Sequence, residues 1–198
     1  MPSQEIVDFL IQQGKKFLEK PRELVCFSGD LEADLFLNNI EQYPHHFVLG
    51  CVMDRQVSSQ RAWRIPWRFS ELVGGYAFSK WFSVDLESVV EMFQRESFHH
   101  FNNQMSVFFY SAIQKIQMQY RGDSSLIWKD SPTSATLIRR FLEIPGFGPR
   151  LASMASSVLT RDFKVPLADR THIDTSPEAN VRRVFQRLGL VKSKSLKS

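Results

Sequence analysis

Residues 142–152 read LEIPGFGPRLA, and the turn they encode sets the reading of the whole chain. Pro145 and Gly146 stop a helix, because proline has no N–H to donate and glycine tolerates the left-handed conformation at a helix end. Gly148 supplies a tight turn with exposed backbone, and Pro149 suits the first turn of a following helix. Apolar Phe141, Leu142 and Ile144 lie on one side, and a small-residue helical run from Leu151 to Leu159 on the other. The residues predict two helices joined by a hairpin whose amides face outward at a helix N-terminus. Amide donors, the helix dipole and close approach at glycine together suit a phosphate. An ordinary αα-corner uses the same residue types. The full I-P-G-F-G-P spacing, with Ala152 two residues after Arg150, favours a nucleic-acid backbone.

Helical periodicity dominates away from the hairpin. Ile6, Phe9, Leu10 and Phe17 mark an amphipathic helix stopped near Pro21, and Leu31 to Ile40 a second. Phe47 to Arg64 opens as an apolar helix, FVLGCVM, turns polar, and is interrupted by Pro66. Phe69 to Phe78 predicts a short helix with a Gly74-Gly75 stop. Asp85 has the character of an N-cap before Leu86, Val89, Val90 and Phe93. Met105 to Tyr120 predicts a long helix ending at Arg121-Gly122-Asp123. The hairpin limbs fall at Thr136–Glu143 and Leu151–Leu159, and Glu178–Leu188 closes the series. Only 25–27 and 164–167 look strand-like. The expectation is an all-α fold of nine or ten helices, one domain over 1–198, with the hairpin at 136–159, helices 4–40 as a second lobe and a basic tail at 191–198.

A chain of 198 residues with 43% hydrophobic and 13% aromatic residues has enough apolar material for a core and is not compositionally disordered. The net charge is +4, and its distribution is uneven. Six Lys and Arg and no acid follow Asn180, which leaves 19 basic against 21 acidic residues in the first 180. The positive stretch is Arg182, Arg183, Arg187, Lys192, Lys194 and Lys197, a phosphate-facing patch or, for the last three, a solvated tail. Cys26 and Cys51 have no metal-ligand spacing and are expected as reduced thiols. His45-His46 and His99-His100 are adjacent pairs, expected as surface or capping residues rather than metal ligands, and no metal site is expected. No run reaches the ~20 apolar residues of a membrane span, and the N-terminus does not read as a signal peptide. A cytoplasmic monomer, nucleoid-associated in a prokaryote, is expected.

Three segments, in order, resemble the helix-hairpin-helix base-excision DNA glycosylases, the superfamily of endonuclease III and the adenine glycosylase MutY. FVLGCVMDRQVSSQRAW (47–63) resembles the family's early helix ending in a glutamine that probes the gap left by a flipped base, here Gln56. LEIPGFGPRLA resembles the family hairpin L-P-G-V-G-R-K-T-A. PEANVRRVFQRLGL (177–190) resembles the helix that begins with the catalytic aspartate. The resemblance covers about residues 34–190 and implies a helical bundle with a cleft between two lobes. It also implies binding of double-stranded DNA, base flipping and hydrolysis of an N-glycosidic bond. A non-catalytic DNA-binding module with the same hairpin is the alternative.

The departures shape what the resemblance implies. Arg150 stands where bifunctional members place a Schiff-base lysine, and a permanently protonated guanidinium cannot attack the sugar carbon. A monofunctional enzyme without lyase activity is therefore implied. Glu178 stands at the family's aspartate position, but an insertion at 170–177 leaves Asp174 and Asp169 as competing carboxylates. Near C1′ a carboxylate stabilises the oxocarbenium-like state and orients the attacking water. Arg55 and Gln56 are the expected gap-filling residues. Gly146, Phe147, Gly148, Arg150 and Arg182 are the expected backbone contacts, and Trp63 and Trp67 the expected base pocket. No cofactor is expected; hairpin carbonyls are expected to offer a place for a structural monovalent cation. The family's four-cysteine cluster is missing from this sequence, and the chain ends soon after the last matched helix, as a minimal or truncated member would.

Overall fold

In the computed structural model, which describes residues 4–173 and 179–191, every described segment of regular structure is helical. The helices are α1 (Gln4–Glu19), α2 (Leu31–Asn38), α3 (Pro44–Met53), α4 (Ser59–Leu72), α5 (Phe78–Phe82), α6 (Leu86–Arg95), α7 (Asn102–Tyr120), α8 (Ser134–Leu142), α9 (Pro149–Arg161) and α10 (Ala179–Arg187). A 3-10 turn spans Ser124–Ile127. The all-α expectation holds for the described residues.

Helix α3 organises the rest. Its sequence, PHHFVLGCVM, has no polar stripe, and all ten residues are buried. A helix that is apolar all round has no face to give to water and must be enclosed. Helices α2, α4, α7 and α9 and the 3-10 turn surround it. Gly50 admits α4 closely: a Cβ there would lie 2.6 Å from Trp63 Cε3. Around this axis α6 pairs with α7, and α8 folds back on α9.

Several expected boundaries move. The 47–64 helix is two helices, broken at 54–58, and Ser58 caps α4 by accepting a hydrogen bond from the Arg61 amide. Pro66 does not interrupt: it lies inside α4 on a face with buried Ala62, Trp63, Ile65 and Phe69, whose packing offsets the lost helical hydrogen bond. The expected helix at 69–78 is the end of α4, a turn through Gly74, and α5. Asp85 does cap α6, through Ser88 N–H at 2.8 Å.

The strand-like segment at 25–27 pairs with side chains instead of a strand. Val25 N–H donates to Asn38 Oδ1 at 2.9 Å, and Asn38 Nδ2 returns a bond to Val25 O. Phe27 and Ser28 amides donate to the Asp34 carboxylate. This arrangement docks 25–28 on α2, and α2 itself packs on α3 and α4. α1 stands apart with none of its described residues buried, tied at its C-terminal end by Lys164 Nζ, which donates to the Phe17 and Leu18 carbonyls.

His45 and His46 are also inside rather than at the surface. Adjacent residues on a helix point in different directions, but α3 is enclosed on all sides, so both rings are covered. His45 Nε2 meets Tyr76 O at 2.9 Å and His46 Nε2 meets Ser70 Oγ at 2.9 Å. Phe36, Tyr43, Tyr76 and Trp81 pack around them. Burial pushes the His45 pKa down to about 4 and the His46 pKa well below its ordinary value.

Candidate nucleic-acid interface

Gly146 is what shapes the hairpin. It adopts φ +94°, and a Cβ there would lie 2.7 Å from Val52 Cγ1 on α3, so the turn presses directly on the central helix. Phe147 N–H closes the turn on Ile144 O at 3.0 Å. The Phe147 ring faces inward, 8% exposed and stacked on Phe141 at 5.0 Å between centroids. Phe147, expected to touch DNA, is a core residue that anchors the turn. Its apolar ring gains more from Phe141 than from water.

Gly148 is the outward half. It is the N-cap residue of α9 with no side-chain capping bond, and nothing lies within 4 Å of the position its Cβ would take. Pro149 and Arg150 follow, both exposed. The helix N-terminus is thus presented with open space in front of it, which is the geometry that accepts an anion.

Beside it sits the loop between α3 and α4, some ninety residues earlier in the chain. Arg55 reaches across, donating from Nη2 to Gly146 O at 2.9 Å, with its guanidinium 5.2 Å from the centre of the Phe108 ring. Arg150 reaches back, donating from Nη2 to Asp54 O at 2.6 Å. These two bonds clamp the loop to the hairpin from both sides. Arg55, expected beside the flipped base, thus joins the loop to the hairpin. Gln56, next in sequence, is exposed and has φ +51°. A left-handed backbone at a non-glycine residue is costly and is held by its surroundings.

His99, expected at the surface or in a cap, is buried and accepts a hydrogen bond at the start of α7. Phe101 N–H donates to His99 Nδ1 at 3.1 Å, which places the ring proton on Nε2. The ring is buried within electrostatic reach of the Arg55 and Met53 carbonyls. Burial lowers its pKa, and those carbonyls partly offset the effect.

The expected pocket tryptophans part company. Trp63 is 3% exposed and stacked on Phe27 at 4.5 Å, so it belongs to the core. Trp67, one helical turn further on, is half-buried and lines an open cavity of about 490 Å³ with arginines of α4.

Of the three candidate carboxylates, Glu178 and Asp174 lie outside the described residues. Asp169 accepts hydrogen bonds from Ser134 Oγ and from Thr171 N–H, and His172 N–H donates to the same Ser134 oxygen. These bonds hold the Asp169 carboxyl below the usual range, the Ser134 hydroxyl contributing most. Ser134 begins α8 and the hairpin follows its end, roughly 12 Å away along the helix axis. Asp169 thus fixes the return loop to the far end of α8 and does not face the turn. Arg182 is exposed on α10, which makes no extensive contact with the other helices among the described residues. The basic residues Lys192, Lys194 and Lys197 lie outside the described residues. No group of His, Cys, Asp and Glu suited to a metal ion occurs among the described residues. No described helix is long and apolar enough to cross a membrane.

Compared with protein-family models, with curated proteins and with solved structures, the chain finds no match in any of the three.

Proposed function

We propose that this protein binds double-stranded DNA and acts as a monofunctional N-glycosylase on a damaged or modified base. One observation carries the reading: the reciprocal Arg55–Gly146 and Arg150–Asp54 bonds, which hold an exposed Gln56 beside an open helix N-terminus. Such an arrangement takes a backbone phosphate at Gly148 and the α9 dipole, while Gln56 probes the stack next to it. Arg150, tied to the loop and always protonated, supplies no lyase nucleophile. The carboxylate for hydrolysis is Glu178, with Asp174 as its rival. The hairpin carbonyls offer a place for a structural monovalent cation, although that of Gly146 is already taken by Arg55.

Gly148→Asp tests the binding half. Gly148 has φ −110° and open space around its Cβ position, and aspartate is a better N-cap than glycine. The variant is expected to gain a few tenths of a kcal/mol of stability while placing a negative charge where the phosphate would sit. Duplex affinity should fall roughly tenfold or more, and the salt slope should flatten by about one. An unchanged affinity would refute phosphate binding at the hairpin.

Base release from oligonucleotides carrying single damaged bases tests the catalytic half. Glu178→Gln should abolish release with duplex binding intact, and Asp174→Asn should leave it. The second reading, a binding module without chemistry, is favoured by the engagement of Asp169 in a capping network. It prevails if the wild-type protein binds duplex DNA yet releases no base.

A further inference from the structure

Helix α4 carries Arg61, Arg64 and Arg68 at spacings of three and four residues, which brings all three to one face. They line the cavity of about 490 Å³ together with Trp67, Gln60 and Asp30. This volume exceeds that of a lone phosphate and falls within the range of small-ligand pockets.

The charges in this cavity are incompletely cancelled. Arg61 donates to the Phe98 carbonyl at 2.9 Å and to the Ser97 carbonyl. Both acceptors are neutral, so those bonds fix the guanidinium without removing its charge. Arg64 is 46% exposed at its side chain, and its nearest acidic oxygen, on Asp30, is 3.9 Å away. The other oxygen of that carboxylate caps α2 by accepting the Glu32 and Ala33 amides. Arg68 is shared between Glu71 and Glu96 and lies 5.9 Å from the centre of the Trp67 ring. Trp67 Nε1 is buried without a hydrogen-bond partner, an N–H donor left unsatisfied beside the cavity. A half-buried aromatic in a cavity lined by three arginines against two carboxylates, Asp30 and Glu96, is a combination that takes a stacked base together with its phosphate.

We infer that this cavity is a nucleotide-binding station, with the phosphate between Arg61 and Arg64 and the base against Trp67. It begins at Ser58 and Gln60, two and four residues beyond Gln56. A strand that passes the loop therefore meets it next. In that form the inference rests on the DNA reading above; a free nucleotide, which offers the same chemistry, does not require it.

The test uses the full chain and changes Arg64, whose one ion pair is long. Arg64→Gln and wild type are titrated with a 20-base-pair duplex, with thymidine 5′-monophosphate and with thymidine, following tryptophan fluorescence and heat of binding. Thermal melting checks that the variant is folded, as an exposed residue with one long ion pair should be. The expected result is duplex affinity lowered several-fold in Arg64→Gln, with a salt slope shallower by about one. Monophosphate binding without thymidine binding, lost in the variant, assigns the station to a free nucleotide instead. The inference is overturned if Arg64→Gln binds duplex and monophosphate as wild type does, or if neither probe binds wild type. The Gly148→Asp variant separates the two proposals. Affinity lost there but kept in Arg64→Gln removes the station and keeps the hairpin. The converse keeps the station and removes the hairpin.

Discussion

Gly146→Ala is expected to destabilise the protein by about 2–5 kcal/mol. Two independent costs add. A residue with a Cβ in a left-handed conformation pays about 1–2 kcal/mol, and Gly146 sits at φ +94°. The new methyl would also lie 2.7 Å from Val52 Cγ1 and 3.4 Å from Phe108 Cβ. Crowding a packed interior typically costs another 1–3 kcal/mol. Neither neighbour gives way easily: Val52 is fully buried on the central helix, and Phe108 lies under the Arg55 guanidinium. Urea denaturation should show a lower midpoint with the slope unchanged. A double-mutant cycle with Val52→Ala separates the two costs, because removing Cγ1 relieves the contact but not the backbone strain. The double variant should be more stable than the sum of the single losses predicts. Simple additivity would mean that the turn does not press on α3 as described. The same substitution should displace Gly146 O from Arg55, loosening the loop that carries Gln56.

Acid should unfold the protein earlier than its carboxylates alone would dictate. His45 and His46 are neutral in the folded chain because burial penalises the imidazolium, and His45 stays neutral down to about pH 4. In the unfolded chain both return to a pKa near 6.5. Below that value the unfolded state binds protons that the folded state refuses, so stability falls as the pH drops from 6.5 toward 4. By pH 5 the loss from His45 amounts to roughly 2 kcal/mol, and His46 acts in the same direction. His99, whose pKa burial also lowers, adds to it. Carboxylates held below their ordinary pKa by arginines, Glu41 by Arg22 and Asp130 by Arg140, lose their contribution only lower, as they protonate. The window between pH 6.5 and 5 therefore belongs to histidine. Denaturation midpoints at pH 7, 6 and 5 measure it. His45→Gln keeps a donor for the Tyr76 carbonyl but takes up no proton, so its midpoint should vary less across that window. A wild-type midpoint that is flat from pH 7 to pH 5 would show that these rings are not enclosed.

The sequence determined whatever depends on neighbouring residues. Pro145-Gly146 and Gly148-Pro149 specified a turn between two helices, because φ preferences and a missing N–H act locally. Asp85 declared its cap for the same reason. The apolar run of α3 required enclosure, since a helix without a polar face has nowhere else to go. Tertiary structure alone decided what each exposed or buried face would meet. It placed Phe147 and Trp63 in the core and left Trp67 beside a cavity, although all three are aromatic residues beside helix breaks or prolines. It let Pro66 continue through α4, because surrounding contacts outweighed one lost hydrogen bond. It drew Asp169 to Ser134, thirty-five residues earlier, and away from the hairpin. It also joined Arg55 to Gly146 and Arg150 to Asp54 across more than ninety residues. Those bonds end on backbone carbonyls, which every residue carries alike, so no pattern of side chains along the chain could have announced them.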